Sequence, residues 1–221
     1  MQDLLGWVSF ASAFAVFLLT HSLPVRPKNK ARLVAVLGPA GFTLAYSLLS
    51  LAALAFLIVA ANRAPDVLLW DRALWQDYVT FAAVAVACGI ASLAIARPNP
   101  LSFGGARNEA FDPYRPGIVG WHRHPLLLAL FLWSASHLLP NGTLAHVILF
   151  GIFAGFSLLG MRLIDRRKKR ELGTKRWSEL CRLPRRVTVT RSGILRLLAG
   201  ATAFAVLLVG HGAVIGVQPA F

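Results

Sequence analysis

The chain has 221 residues, of which 57% are apolar and only 14% charged. Soluble domains carry charge at about a quarter of their positions, so an ordinary soluble fold is excluded, whereas about six membrane helices of about 20 residues each fit within this composition. The formal charge of +14 then reads as basic loops beside a bilayer rather than a nucleic-acid surface, for which no motif is present, and two cysteines do not make a disulfide scaffold.

Uncharged runs place the helices. Residues 4–25 form the first; with Asp3 in place of a basic leader and no small-residue cleavage site, the run is expected to stay as a helix rather than serve as a secretory signal. Residues 33–62 form the second, with a bend expected at Gly38-Pro39, and residues 78–96 the third. The run from 125 to 161 is broken by the turn signal Pro140-Asn141-Gly142. It reads as a hairpin of two helices, 124–139 and 143–161. Residues 197–221 are the last. The expected fold is all-α: one polytopic membrane domain, residues 1–221, with about six transmembrane helices.

Alternate loops carry all but two of the 23 Lys and Arg residues, the exceptions being Arg63 and Arg72. The positive-inside rule puts those loops in the cytoplasm and both termini in the periplasm. The cluster 166–170 is read chiefly as a contact to anionic lipid. No Asp or Glu lies within a span, so a carboxylate pathway through the membrane lacks its usual parts.

Histidines are the main groups left for chemistry: His21, His124, His137, His146 and His211. His21 ends the first helix and His124 opens the fourth at the same membrane level. His137 stands 13 residues along that helix from His124, about 20 Å deeper. Two helices that share an iron need ligands at matching depth, which His21 and His124 satisfy. Imidazole is the usual axial ligand of haem iron and a helical bundle can bury a porphyrin; Arg26 and Arg123 lie level with its propionates. The alternative for each histidine is a hydrogen bond to a carbonyl or a headgroup.

Before Pro125, the backbone of His124 is expected to be non-helical, a geometry tolerated near lipid where it lines a cavity or is covered by protein. The loop 97–120 is long for a structureless connection and reads either as a functional lid or as disorder. Trp133, Ser134 and His137 share one face of their helix, expected to point into the bundle, where His137 either packs or reaches a substrate. Cys88 and Cys181 are expected to be far apart and unpaired. CxxC and HExxH metal spacings, a phosphate loop and a dinucleotide fingerprint are all missing from the sequence.

Thr20-His21-Ser22-Leu23-Pro24, Gly38 and Tyr46-Ser47-Leu48-Leu49-Ser50 resemble the first half of the NnrU family. Asn99-Pro100-Leu101-Ser102 is similar to its central loop. Arg123-His124-Pro125, Trp133, Ser136-His137-Leu138-Leu139, Asn141-Gly142, Asp165-Arg166-Arg167 and Gly173 complete the likeness in order along nearly the whole chain. The resemblance implies a bacterial inner-membrane protein linked to nitrite and nitric oxide metabolism, with nitrite or nitric oxide reductase components as partners of an accessory protein. The family is similar to 15-cis-zeta-carotene isomerase, a membrane enzyme that uses haem b. That likeness implies His21 and His124 as iron ligands, Arg26, Arg123, Asp165 and Arg166 around the cofactor, and His137 as a further, catalytic candidate toward a hydrophobic small molecule. Nothing in the sequence selects a polyene.

Arg123-His124-Pro125 followed by Gly173, Trp177 and Leu183-Pro184-Arg185 also looks like the isoprenylcysteine and phospholipid methyltransferases, which bind S-adenosylmethionine. Their Glu-rich motif is replaced here by Asp165 and Glu171 in a basic setting. Three readings follow: a haem-b redox or isomerase-type protein, an S-adenosylmethionine-dependent methyltransferase, and an accessory protein.

Overall fold

The computed structural model describes residues 2–182, 184 and 189–219. Its helices are α1 (Gln2–Ser22), α2 (Pro27–Asn62), α3 (Leu74–Ala94), α4 (Ile118–Trp121), α5 (Pro125–His137), α6 (Leu144–Leu172), α7 (Thr174–Cys181) and α8 (Arg191–Ile215). Among the described residues α1, α2, α3, α6 and α8 are long and apolar enough to cross a membrane, and the only β-type pairing is an isolated bridge of Leu68 with Thr143. The protein is an all-α polytopic membrane protein.

The chain divides into two compact units: Met1–Leu69 with Thr143–His146, and Trp70–Gly142 with Val147–Phe221. In the first, α1 packs on α2. Phe10, Phe14 and Phe17 of α1 are buried, as are Phe42 and Leu57 of α2, with Ala13, Ala53, Ala60 and Ala61 between them. Helices gain no hydrophobic force from one another inside lipid, so small residues that let backbones approach carry the contact. α2 bends where expected: Gly38 has φ 70° and ψ 166°. Pro39 lacks an N–H and disfavours helical backbone at the residue before it, and glycine takes the resulting positive φ without strain.

In the second unit α3 packs against α5 and α8. A Cβ on Gly200 would stand 2.6 Å from Ser92 Oγ and 3.0 Å from the Cys88 carbonyl, so α3 and α8 meet backbone to side chain. Arg196 donates from Nη1 to the carbonyls of Ser92 and Ile95, at 3.1 and 2.7 Å, covering acceptors that the end of α3 leaves unpaired. Gly200→Leu is expected to cost about 1–3 kcal/mol by overpacking; a thermal midpoint in detergent equal to that of the unaltered protein would count against this contact.

Four expectations change. α2 starts at Pro27 rather than at residue 33, and α6 runs through Asp165-Arg166-Arg167 to Leu172. Charge ends the crossing, not the helix; α6 stops at Gly173, whose φ is 78°. α8 likewise begins earlier, at Arg191, with Thr190 Oγ1 accepting from the Gly193 N–H at 3.0 Å. The expected fourth crossing is only the 13 residues of α5, about 20 Å long and short of a hydrocarbon core of about 30 Å.

Candidate functional site

The loop between α3 and α5 is ordered by its own polar groups. The Asn99 side chain accepts from the Leu101 N–H at 3.1 Å and donates to the Arg123 carbonyl at 3.0 Å. The Asn99 N–H donates to Asn108 Oδ1 at 2.8 Å. This turn buries Leu101 and Ser102. Leu101 meets Val119 and Leu180 in an apolar plug with Phe111, Ile118 and Trp177 around it. Within 97–120 the backbone forms a 3-10 turn at Asn108–Ala110 and the short helix α4.

His124 precedes Pro125 and is non-helical, with φ −117° and ψ 59°, as the proline requires. Its ring is 2% exposed. Because α6 continues past its apolar stretch, Asp165 reaches the level at which α5 begins. Asp165 Oδ1 accepts from His124 Nε2 at 2.9 Å and from Arg123 Nε at 2.7 Å; Oδ2 accepts from Arg123 Nη2. His124 Nδ1 lies 2.9 Å from Ser102 Oγ. A carboxylate only accepts, so Nε2 carries the proton and Nδ1 accepts from the Ser102 hydroxyl. The result is a relay Ser102–His124–Asp165, held from the far side by a two-pronged Arg123. Such a fork is the stronger form of ion pair.

Burial pushes the His124 pKa below its ordinary 6.5, and the hydrogen bond and charge of Asp165 only partly oppose it. His122, whose Nδ1 accepts from the His124 N–H at 3.2 Å, is also lowered by burial. Both therefore gain protons more readily in the unfolded chain than in the folded one. Stability contributed here is present above about pH 6.5 and is lost as the pH falls toward the folded values. The thermal midpoint is expected to drop between about pH 7.5 and about pH 5.5, and to drop less in His124→Gln; an equal drop in both proteins would remove His124 from this account.

Trp177 on α7 covers Arg123. The guanidinium carbon lies 6.0 Å from the ring centre, and Lys169 Nζ lies 5.6 Å from it, both within cation–π range. Trp177 Nε1 is buried without a hydrogen-bond partner among the described residues. Cys181 and Cys88 are unpaired, as expected.

Arg123, His124 and Asp165, which the resemblance sets around a cofactor, meet one another through these hydrogen bonds. Arg166 is exposed and forms no ion pair among the described residues. Leu183 and Arg185 lie outside the described residues. His21 and Arg26 belong to the first unit. There Arg26 is exposed at the start of α2. His21 Nδ1 donates to the Phe17 carbonyl at 2.9 Å, its ring stacks on Phe17 at 3.9 Å, and its own carbonyl accepts from Tyr46 Oη at 3.2 Å. His21 Nε2 has no hydrogen-bond partner among the described residues.

His137 repeats that pattern in the second unit, with Nδ1 donating to the Trp133 carbonyl at 2.7 Å. Its ring lies against Trp133 and Phe150, at 5.2 and 5.1 Å between centres. The shared face of Trp133, Ser134 and His137 does point inward: Ser134 is buried and Trp133 meets Phe150 and Phe153 of α6. His146 is bonded to Thr143 and Asn62, and His211 Nδ1 to the Val217 carbonyl at 2.6 Å. Ser102, Asn99 and Trp177 complete the array, although the sequence marked them only as parts of motifs. The available signal was Asn99-Pro100, a turn-forming pair; that its turn would seat a serine on His124 is tertiary.

Among the described residues no three His, Cys, Asp or Glu side chains gather into a metal-binding group. That concerns a protein-only cage, which takes about four ligands; haem iron is held by one or two axial groups. A family model described as NnrU protein matches residues 9–219. No curated protein and no solved structure matches the chain.

Proposed function

The chain belongs to the NnrU family, and from that premise we propose that it is a haem-b-binding protein of the bacterial inner membrane, acting in nitrite or nitric oxide metabolism through a redox or isomerase-type reaction on a small molecule dissolved in the bilayer. The observation that carries the proposal is His21. A ring nitrogen braced on a carbonyl with the other nitrogen open suits an iron-ligating imidazole; His21 has it through Phe17, and of the histidines held this way it is the one that the family likeness implies as a ligand. Haem, when bound, would be held by His21 and would supply redox-active iron.

His124 fits a ligand role less well than its depth suggested. Both its ring nitrogens are engaged, by Ser102 and by Asp165, so an iron there would have to displace one of them. Its role in this proposal is to hold a proton. Nε2–H is fixed on Asp165, Arg123 fixes Asp165, and Nδ1 accepts the hydrogen bond of the Ser102 hydroxyl. His137, braced at Nδ1 by Trp133 among aromatic rings, offers Nε2 to a substrate in the apolar layer.

The test is an absorption spectrum of the detergent-purified full chain, expressed with ample haem, in oxidised and dithionite-reduced states. A Soret band with sharp reduced α and β bands, at about one haem per chain, is expected. A featureless visible spectrum overturns the proposal and makes calorimetry with S-adenosylmethionine the next measurement.

A further inference from the structure

A cleft distinct from the Asp165 array opens between the last turn of α3 and the loop beyond it. Leu93, Phe111 and Val119 form its apolar wall and floor, and Arg97, Arg115 and Asp112 stand in its lining. Val119 is part of the buried plug with Leu101 and Leu180, so the floor is tied to the rest of the unit.

The charge in the cleft is unbalanced. Asp112, whose Oδ1 accepts from the Tyr114 N–H at 2.8 Å, is one carboxylate against two guanidinium groups in the lining. Among the described residues neither Arg97 nor Arg115 forms an ion pair. The main chain of Arg97 is also held in place. Its N–H donates to the Ala94 carbonyl at 3.2 Å and its carbonyl accepts from the Ala106 N–H at 3.1 Å. Ala96 just before it has φ 56°, a left-handed conformation that a side chain with a Cβ rarely adopts. The chain holds this unfavourable geometry at the position that turns from the end of α3 into the cleft, and strain of that kind collects at ligand-binding positions.

Leu93 comes from a membrane helix, whereas the arginines come from the loop that follows it. The cleft therefore joins an apolar strip to two unpaired guanidinium groups. We propose that it binds an amphiphile whose phosphate head is net negative, with the phosphate taken by Arg97 and Arg115 and the chain laid along Leu93 and Phe111. Guanidinium is the group suited to this head, since its planar fork meets two phosphate oxygens at once. Free phosphate shares the head chemistry but has nothing to place on the apolar strip.

The experiment measures ligand-induced shifts of the thermal midpoint of the full chain in neutral detergent. The probes are short-chain phosphatidic acid, short-chain phosphatidylcholine and inorganic phosphate. Saturable stabilisation by phosphatidic acid is expected, with half-saturation raised about tenfold in both Arg97→Gln and Arg115→Gln and unchanged in Arg170→Gln, which lies outside the cleft. Arg115 is exposed, so its variant keeps the test valid if Arg97→Gln does not fold. Equal half-saturation in Arg115→Gln and the unaltered protein overturns the proposal. So does stabilisation by phosphatidylcholine at the same concentration. Inorganic phosphate acting as strongly as phosphatidic acid would assign the cleft to free phosphate and overturn the amphiphile.

Discussion

Asp165→Ala is expected to lower the stability of the folded chain by about 2–3 kcal/mol, because one substitution strips the acceptors from three N–H groups on two side chains. Hydrogen bonds to charged groups are worth about 1.5–3 kcal/mol each, and breaking a buried pair costs about 3–5 kcal/mol. The Arg123 share is discounted because that side chain is 42% exposed against 20% for Asp165, and solvent screens exposed pairs. The His124 share is not, since its ring is 2% exposed and keeps an N–H with nowhere to go. At about 2–4 °C per kcal/mol for a chain of this size, the thermal midpoint should fall by about 5–10 °C. Asp165→Asn keeps one acceptor oxygen and should lose less. Glu171→Ala, on the same helix, removes exposed partners of Arg167 and Lys168 and should change little. Were Asp165→Ala to melt with Glu171→Ala, the array would not hold the loop to α6.

The second large effect concerns His21. His21→Ala is expected to reduce haem content to below about a tenth, given that loss of even an outer-shell partner of a metal ligand costs about 10–100-fold in affinity. The fold should survive, because His21 is half-exposed at the end of α1 and the contacts of Phe10, Phe14 and Phe17 remain. Added imidazole should restore part of the Soret band in the variant, a response that a structural role would not give. A full Soret band in His21→Ala would remove His21 as the ligand. Haem retained in His124→Gln is expected as well, since His124 is assigned to proton holding.

How much of this was legible in the sequence differs by feature. The bend in α2 was, because Gly38-Pro39 admits few backbone alternatives. Motifs marked Arg123, His124 and Asp165 one by one but not their contact, whose physical cause is that α6 keeps its helix beyond the lipid. That continuation was itself missed. Residues 162–172 are basic, and charge was taken to end the helix when it ends only the apolar stretch; Gly173, with its positive φ, is the true stop. The same reasoning misplaced the start of α2, where Pro27 begins the helix six residues ahead of Leu33. The two engaged nitrogens of His124 could not be read at all, since Ser102 lies 22 residues away and is brought there by a turn centred on Asn99. The loop 97–120 was open to two readings, and its order comes from Asn99, Asn108 and the plug around Leu101, none of which has a periodic signature.

The shortness of α5 bears on how the second unit meets the surrounding lipid. Its C-terminal turn is capped by Trp70, whose Nε1 donates to the Leu139 carbonyl at 2.8 Å, and tryptophan with its polar edge engaged favours the headgroup level. None of the residues of α5 is exposed, so this helix of about 20 Å lies behind its neighbours in the second unit and places no mismatch of its own on the lipid. The hydrocarbon core of about 30 Å is met by the long helices, and the bilayer is expected to keep its thickness beside α5.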